Sequence, residues 1–200
     1  MGVEEERLAV FAAAVEESPH NLVSARAVTE IRTRHIPECV ALARMLPDGP
    51  LRLLDVGSGG GFPGLVIAAV REDLEVTLLD STRKKTEFLA ETAVAMGVDV
   101  AVINERAEEA AMSRGGRYDL VTARAVAPLE RLIPWTVPFL TASGLVYAVK
   151  GDRWEQELDA AAPALRRWGA SVVATPADIH QQDDDATADR PKVVIIGRAP

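Results

Sequence analysis

Asp55-Val56-Gly57-Ser58-Gly59-Gly60-Gly61-Phe62-Pro63-Gly64 is the stretch whose reading decides the fold. It follows an apolar run at 51–56 and opens a helical stretch near 63–71. Five of the eight residues from 57 to 64 are glycine, which costs chain entropy unless the backbone must turn sharply or meet a ligand closely. Downstream, further apolar runs stand at 75–79, 98–103, 118–122, 145–149, 171–174 and 192–196. Most are nearly continuous in Val, Ile and Leu, as strands buried on both faces should be. Helical spacing fills the intervals near 82–96, 105–113, 128–140 and 152–168. This alternation predicts an α/β fold with a doubly wound, mostly parallel seven-stranded sheet. Residues 175–191 are polar and read as a long turn, so the last two strands are expected to pair antiparallel. Upstream, 4–16 and 25–46 carry apolar residues at helical spacing, with Ser24 as N-cap of the second helix. Pro37 is expected to kink or split that helix, and Pro47-Asp48-Gly49-Pro50 ends it. The division expected is an N-terminal helical extension over 1–48 and one α/β unit over 49–200.

Composition narrows the function classes. The chain has 200 residues, 48% of them apolar, and a formal net charge of -8. That is enough material for a full core. The acidic balance argues against a general nucleic-acid binder, which needs a broad basic surface. The charge is uneven: residues 101–150 sum to +1, and each of the other fifty-residue quarters sums to -3. The dense clusters are basic Arg83, Lys84, Lys85 and acidic Asp183, Asp184, Asp185. One cysteine, Cys39, excludes an internal disulfide and makes a cysteine zinc site implausible. His20, His35 and His180 are scattered, so no metal site is expected. Glu4, Glu5 and Glu6 stand where a signal peptide would need basic residues, and no stretch approaches the ~20 apolar residues of a membrane span. The expectation is a cytoplasmic monomer with no membrane contact.

The glycine loop fits two ligand classes. Gly59-x-Gly61-x-x-Gly64 matches the dinucleotide fingerprint, whereas Asp55-x-Gly57-x-Gly59-x-Gly61 matches the loop of class I S-adenosylmethionine-dependent methyltransferases. The acid at Asp55 favours the second, because a carboxylate poorly serves a pyrophosphate and suits a cationic ligand. Asp80 ends the second strand, 19 residues beyond Gly61, where an acid can accept hydrogen bonds from both ribose hydroxyls. Asn104-Glu105-Arg106-Ala107-Glu108 follows the third strand and would flank the base of such a nucleoside. After the fourth strand comes Thr122-Ala123-Arg124-Ala125-Val126-Ala127-Pro128. It lacks the Asn/Asp-Pro-Pro-aromatic motif of enzymes that methylate exocyclic amines. The single Cys lies far upstream, against a cytosine-C5 nucleophile, and no His cluster offers the base that an O-methyltransferase needs. These absences favour an acceptor that is already nucleophilic, such as guanine N7, whose attack needs alignment rather than a general base. Arg124 could then touch guanine O6, a phosphate or the cofactor carboxylate.

These residues resemble the bacterial small-subunit ribosomal RNA guanine-N7 methyltransferases, also called the glucose-inhibited division protein B family. The matching stretches are His20-Asn21-Leu22-Val23-Ser24, Arg34-His35, Leu54 through the glycine loop to Gly64, and Leu79-Asp80-Ser81 with Lys84-Lys85-Thr86-Glu87-Phe88-Leu89. They continue with Arg106-Ala107-Glu108-Glu109, Tyr118-Asp119-Leu120-Val121-Thr122-Ala123-Arg124-Ala125 and Lys150-Gly151, spanning about residues 20–151 in the family's order. The resemblance implies transfer of a methyl group from S-adenosylmethionine to N7 of one guanine in the decoding-region loop of 16S rRNA, free or within the small ribosomal subunit. It implies cofactor contacts by Gly57, Gly59, Gly61, Phe62, Asp80, Ala107, Glu108 and Arg124, with Gly57 and Phe62 on the methionine side. Arg124 would lie between cofactor and acceptor, and Lys150 would contact the acceptor nucleotide or its phosphate; both would position, with no general base. Arg83, Lys84 and Lys85 would contact the RNA backbone. Two stretches depart from the family pattern. Ile36-Pro37-Glu38-Cys39-Val40 stands where Ile-Leu-Asp-Ser-Leu is usual, and the C-terminus carries fewer basic residues.

The residues leave other classes open. A class I methyltransferase acting on a small molecule suits the acidic charge. An NAD-dependent oxidoreductase would need a hydride-partner His or Tyr near the sheet's carboxyl edge. A non-catalytic domain that binds S-adenosylmethionine or RNA is the third.

Overall fold

Strands form where Val, Ile and Leu run without polar relief, because burial on both faces removes any need for alternation. In β1 (Arg52–Val56) and β2 (Glu75–Leu79) every residue but the first is buried. A computed structural model describes residues 2–18, 28–181 and 191–199. Ser24, the rest of the 20–24 motif and the acidic run at 183–185 lie outside the described residues.

The chain opens with α1 (Val3–Glu17) and a π-helical turn (Ile31–His35) that runs straight into α2 (Ile36–Met45). Pro37 changes the helix without breaking it: the backbone stays helical through His35 and Ile36 while the π turn gives way to α2. Pro37 sits in the first turn of α2, where its missing N–H is not needed, and the wider π turn precedes it. After β1 come α3 (Gly64–Val70), β2, α4 (Arg83–Met96), β3 (Val100–Ile103) and α5 (Ala107–Arg114). They are followed by β4 (Tyr118–Arg124), α6 (Leu129–Thr136), β5 (Leu140–Lys150) and α7 (Trp154–Arg167). The chain closes with β6 (Ala170–Ala174), α8 (Pro176–Gln181) and β7 (Lys192–Arg198).

The seven strands form one sheet in the order β3-β2-β1-β4-β5-β7-β6. The pairs from β3 to β5 are parallel, and β7 runs antiparallel to both β5 and β6. This is a doubly wound, Rossmann-like α/β sheet of seven strands, mostly parallel as the alternation predicts. One expectation fails: residues 175–191 do not begin as a turn but with α8. Thr175 caps it, exchanging bonds with Asp178, whose carboxylate accepts from the Thr175 amide at 2.8 Å and hydroxyl at 2.7 Å, with Pro176 in the first turn.

Consecutive strand residues point to opposite faces, so each buried strand feeds two cores. Leu53, Leu78 and Leu120 join a core with Phe11, Ile31, Leu42, Leu65 and Leu89. Leu54, Leu79 and Val121 join the other, with Leu132, Ile133, Phe139 and Val194. Each fully buried Leu or Phe contributes about 1.5–3 kcal/mol. The N-terminal helices thus share the first core with α3 and α4, and this packing carries the π turn to the carboxyl edge of the sheet.

Candidate active site

Strands β1 and β4 are neighbours whose crossovers lead to opposite sides, to β2 and to β5. A crevice opens outside their carboxyl ends at such a reversal. Two segments form it, the glycine loop after β1 and the loop 125–128 after β4.

The glycine loop is pinned from below. The amides of Gly57 and Ser58 both donate to the Leu79 carbonyl, at 2.8 and 3.1 Å, and the Gly61 amide donates to Ser58 at 2.7 Å. Gly57, Gly59 and Gly61 hold φ of +73°, +55° and +95°, where a side chain would be strained. A Cβ on Gly57 would come within 2.7 Å of Val126. At Gly61 it would strike Leu65 and Phe11 at 2.8 Å, and at Gly64 it would strike Leu78 at 2.3 Å. Gly61 and Gly64 therefore serve packing.

Asp55, read above as a favourable charge for a ligand, lies wholly beneath the loop. Its carboxylate accepts from the Gly64 amide at 3.2 Å and the Thr122 hydroxyl at 2.8 Å, at 0% exposure. Burial pushes its pKa up to about 6 against those bonds.

Asp80 follows β2. One carboxylate oxygen accepts from the Gly59 amide at 3.0 Å and the other from the Thr82 amide at 2.8 Å, and Asn104 donates to its carbonyl at 3.0 Å. The turn-forming role and a place at the pocket thus coexist. Asp80 lines a cavity of about 270 Å³ with Gly57, Lys85, Ala107, Glu108, Val126 and Trp135. Trp135 carries Arg131 over its ring at 5.3 Å.

A second cavity, about 730 Å³, lies on the other side of the 125–128 loop, lined among others by Arg34, Glu38, Arg124, Lys150, Glu157 and Lys192. Ala125 and Val126 belong to both cavities.

Arg124 ends β4 and faces the N-terminal segment. Its guanidinium donates to the His35 carbonyl at 3.3 Å and to Cys39 Sγ at 3.0 Å, contacts His35 Nδ1, and pairs with Glu38 at 3.1 Å. It also stacks 5.5 Å over Phe62, whose ring packs edge-on against Phe11. A guanidinium can only donate, so His35 Nδ1 accepts and the ring is neutral with its proton on Nε2. Burial and the Arg124 charge lower the His35 pKa in agreement. Burial also pushes the Cys39 thiol up to about 12, so it stays protonated. Glu38, the departure from the usual Asp, bridges Arg34 at 2.9 Å and Arg124.

Lys150 turns inward at the end of β5. Its ammonium donates to the Ala127 carbonyl at 2.8 Å and pairs with Glu157 of α7 at 2.6 Å, leaving the side chain 8% exposed.

The sequence matches the family model for GidB, rRNA small subunit methyltransferase G, over residues 6–183. The chain belongs to this family. It is 45% identical to the ribosomal RNA small subunit methyltransferase G of Streptomyces avermitilis over 150 residues, which cover 74% of this chain and 62% of that protein. The Streptomyces coelicolor relative matches with the same figures, and that of Sorangium cellulosum is 45% identical over 163 residues, 78% of this chain and 67% of that one. The chain thus spans about 62% of the length of the two Streptomyces relatives. Among solved structures, a ribosomal protein L11 methylase from Lactobacillus delbrueckii subsp. bulgaricus superposes with TM-score 0.58 at 22% identity, over 82% of this chain and 77% of that one. A TehB-like SAM-dependent methyltransferase from Corynebacterium glutamicum gives 0.61 at 14% identity, over 86% and 93%. These two likenesses are of fold.

Among the residues singled out from sequence in this GidB family member, Gly57, Asp80, Ala107 and Glu108 converge on the smaller cavity. Gly59 borders it by donating to Asp80, Gly61 and Phe62 lie beneath, and Arg124 and Lys150 line the larger one. The basic cluster does not converge. Arg83 is exposed and paired with Glu87 at 2.8 Å, Lys84 borders a different hollow beside Glu17, and Lys85 turns to within 3.8 Å of Asp80. Successive residues of a helix point about 100° apart, and here the three side chains go to three different surroundings. Sequence reasoning missed Trp135 and Glu157. Trp135 gave the faint signal of an aromatic near a helix end. Glu157 looked like an ordinary acid in a helix's first turn.

Proposed function

We propose that this protein transfers a methyl group from S-adenosylmethionine to N7 of a guanine in the 16S rRNA of the small ribosomal subunit. The reading rests on the two cavities that share only a thin wall, Ala125 and Val126. The smaller suits a nucleoside: an acid at its edge, Asp80, for a ribose diol, with Ala107, Glu108 and Trp135 around a base. Gly59 leaves loop backbone open to the rest of the cofactor, Gly57 lines the cavity against Val126, and Gly61 and Phe62 support that loop from below. Bound S-adenosylmethionine would supply an electrophilic methyl group on its sulfonium.

The larger cavity suits an acceptor that needs no base. Its carboxylates all face cations: Glu38 faces Arg34 and Arg124, Asp152 faces Lys192, and Glu157 faces Lys150. Among the described residues each carboxylate of this cavity is thus held as the anion by a cation, which suits an acceptor that already carries a free electron pair. Guanine N7 does, with an in-plane lone pair and no hydrogen. Exposed Arg83 and Lys84 are the proposed contacts to RNA backbone, and the protein would work at the ribosome, in the cytoplasm.

The test is transfer from labelled S-adenosylmethionine onto small subunits lacking the modification and onto free 16S rRNA, with the product mapped by cleavage at N7-methylguanine. Label at a single guanine is expected. Retained S-adenosylmethionine binding without label in either RNA would point to a small-molecule acceptor, the class that the net charge of -8 favours. Binding of NAD in its place would end the reading.

A further inference from the structure

The loop 125–128 does not hold its shape by itself. Ala125 has φ of +55°, a left-handed conformation that costs a non-glycine residue about 1 kcal/mol and persists only where the surroundings impose it. The far end of the loop is held by two charged side chains from distant elements. Lys150 grips the Ala127 carbonyl at 2.8 Å. Glu157 grips the Leu129 amide at 3.1 Å and Lys150 itself at 2.6 Å. The two grips bracket Pro128, one on each side. The near end of the loop closes on Gly57, where even a methyl group would meet Val126 at 2.7 Å. Lys150, 8% exposed and held by a carboxylate and a carbonyl, has its charge committed to this work.

We infer that Glu157, acting through Lys150, is a positioning residue that fixes the wall between the two cavities and so sets how the acceptor meets the methyl group. This rests on the methyltransferase reading above. It moves Lys150 from the acceptor to the loop and gives Glu157 a role. An acceptor phosphate would have to displace Glu157 to reach Lys150, whereas the loop already uses both.

The experiment compares Glu157→Ala and Glu157→Gln with the native chain, by steady-state kinetics on undermodified small subunits and by hydrogen exchange over the segment that contains the Leu129 amide. Glu157→Ala should lower kcat about 10- to 100-fold, as expected for misplacement of reacting groups. It should leave KM for the RNA within about twofold, because no acceptor contact is lost. Exchange at Leu129 should quicken. Glu157→Gln keeps an oxygen for both the Lys150 ammonium and the Leu129 amide, so it should recover most of kcat. An unchanged kcat in Glu157→Ala overturns the inference, and so does a raised RNA KM with kcat intact, which would mark a direct acceptor contact. If the native chain labels no RNA, the rRNA reading fails alone. The clamp is then judged by S-adenosylhomocysteine affinity and Leu129 exchange: both loosened in Glu157→Ala supports it, and both unchanged overturns it.

Discussion

The loop after β1 and the loop after β4 face each other across the site and are held by opposite means. The first is held by its own neighbourhood: glycines with positive φ, the Leu79 carbonyl, and a buried acid three residues before Ser58. The second is held by remote side chains. Lys150 and Glu157 fix its far end, and the strand end before it, at Arg124, is tied to a segment 85–89 residues upstream. The first loop can be loosened only at its own residues or at the adjoining end of β2, where Leu79 and Asp80 hold it. A remotely held one can be loosened from four other elements, β5, α7, the π turn and α2, without touching it.

That contrast sets the expected effects. The largest should be Gly64→Ala. Its Cβ would lie 2.3 Å from Leu78 and 2.7 Å from Asp55, so overpacking should cost about 3–4 kcal/mol of stability, read from the denaturant midpoint. Val126→Ala in the other loop should cost less than half as much; equal costs would erase the distinction between the loops.

Next comes Asp55. Its folded pKa, about 6, lies above the ordinary 3.8, so the native state binds the proton more tightly. Its contribution is therefore present at low pH and lost as pH rises from about 4 to about 6, a fall of about 3 kcal/mol at most, and then flat. Asp55→Asn keeps an acceptor for Gly64 and should lack that fall. Parallel stability curves for the two proteins between pH 4 and 7 would overturn the assignment.

Arg124→Met should cost about 2 kcal/mol, below the value for a fully buried pair because both side chains keep some water contact, at 14% and 18% exposure. Without the guanidinium above it, the pKa of His35 should rise, which a ring-proton titration would record. Arg124→Lys should not restore stability, since an ammonium cannot span His35, Cys39 and Glu38 together.

The smallest effects belong to the basic cluster. Replacing Arg83 or Lys84 should flatten the slope of log K against log salt for RNA by about 0.7 each, while Lys85, turned toward Asp80, should instead change cofactor affinity. Identical behaviour of all three would contradict their separate orientations.

The sheet was legible because strands buried on both faces leave continuous Val, Ile and Leu runs, and β2 matches its predicted span residue for residue. The glycine loop was legible for a related reason, since positive φ leaves a mark in the residue type. Helix α8 was missed because Thr175 and Asp178 also read as turn formers; only their reciprocal bonds reveal a cap. The direction in which Asp55 points was invisible, because a buried acid and a ligand-facing acid are the same letter. Arg124 and Lys150 stood out as residues of interest, but their partners did not. Charged pairs separated by seven residues in Lys150 and Glu157, or by 86 in Arg124 and Glu38, follow no short-range period.

The shared wall of the two cavities has a consequence for ligand chemistry. Since Ala125 and Val126 end one cavity and begin the next, two weakly bound fragments would sit with their nearest atoms on either side of a pair of small side chains. Tethering them across that divide would turn the second encounter into an intramolecular event, so that affinity rises through effective concentration without any new contact. The gain would depend on the tether's length, and the width of two residues sets it.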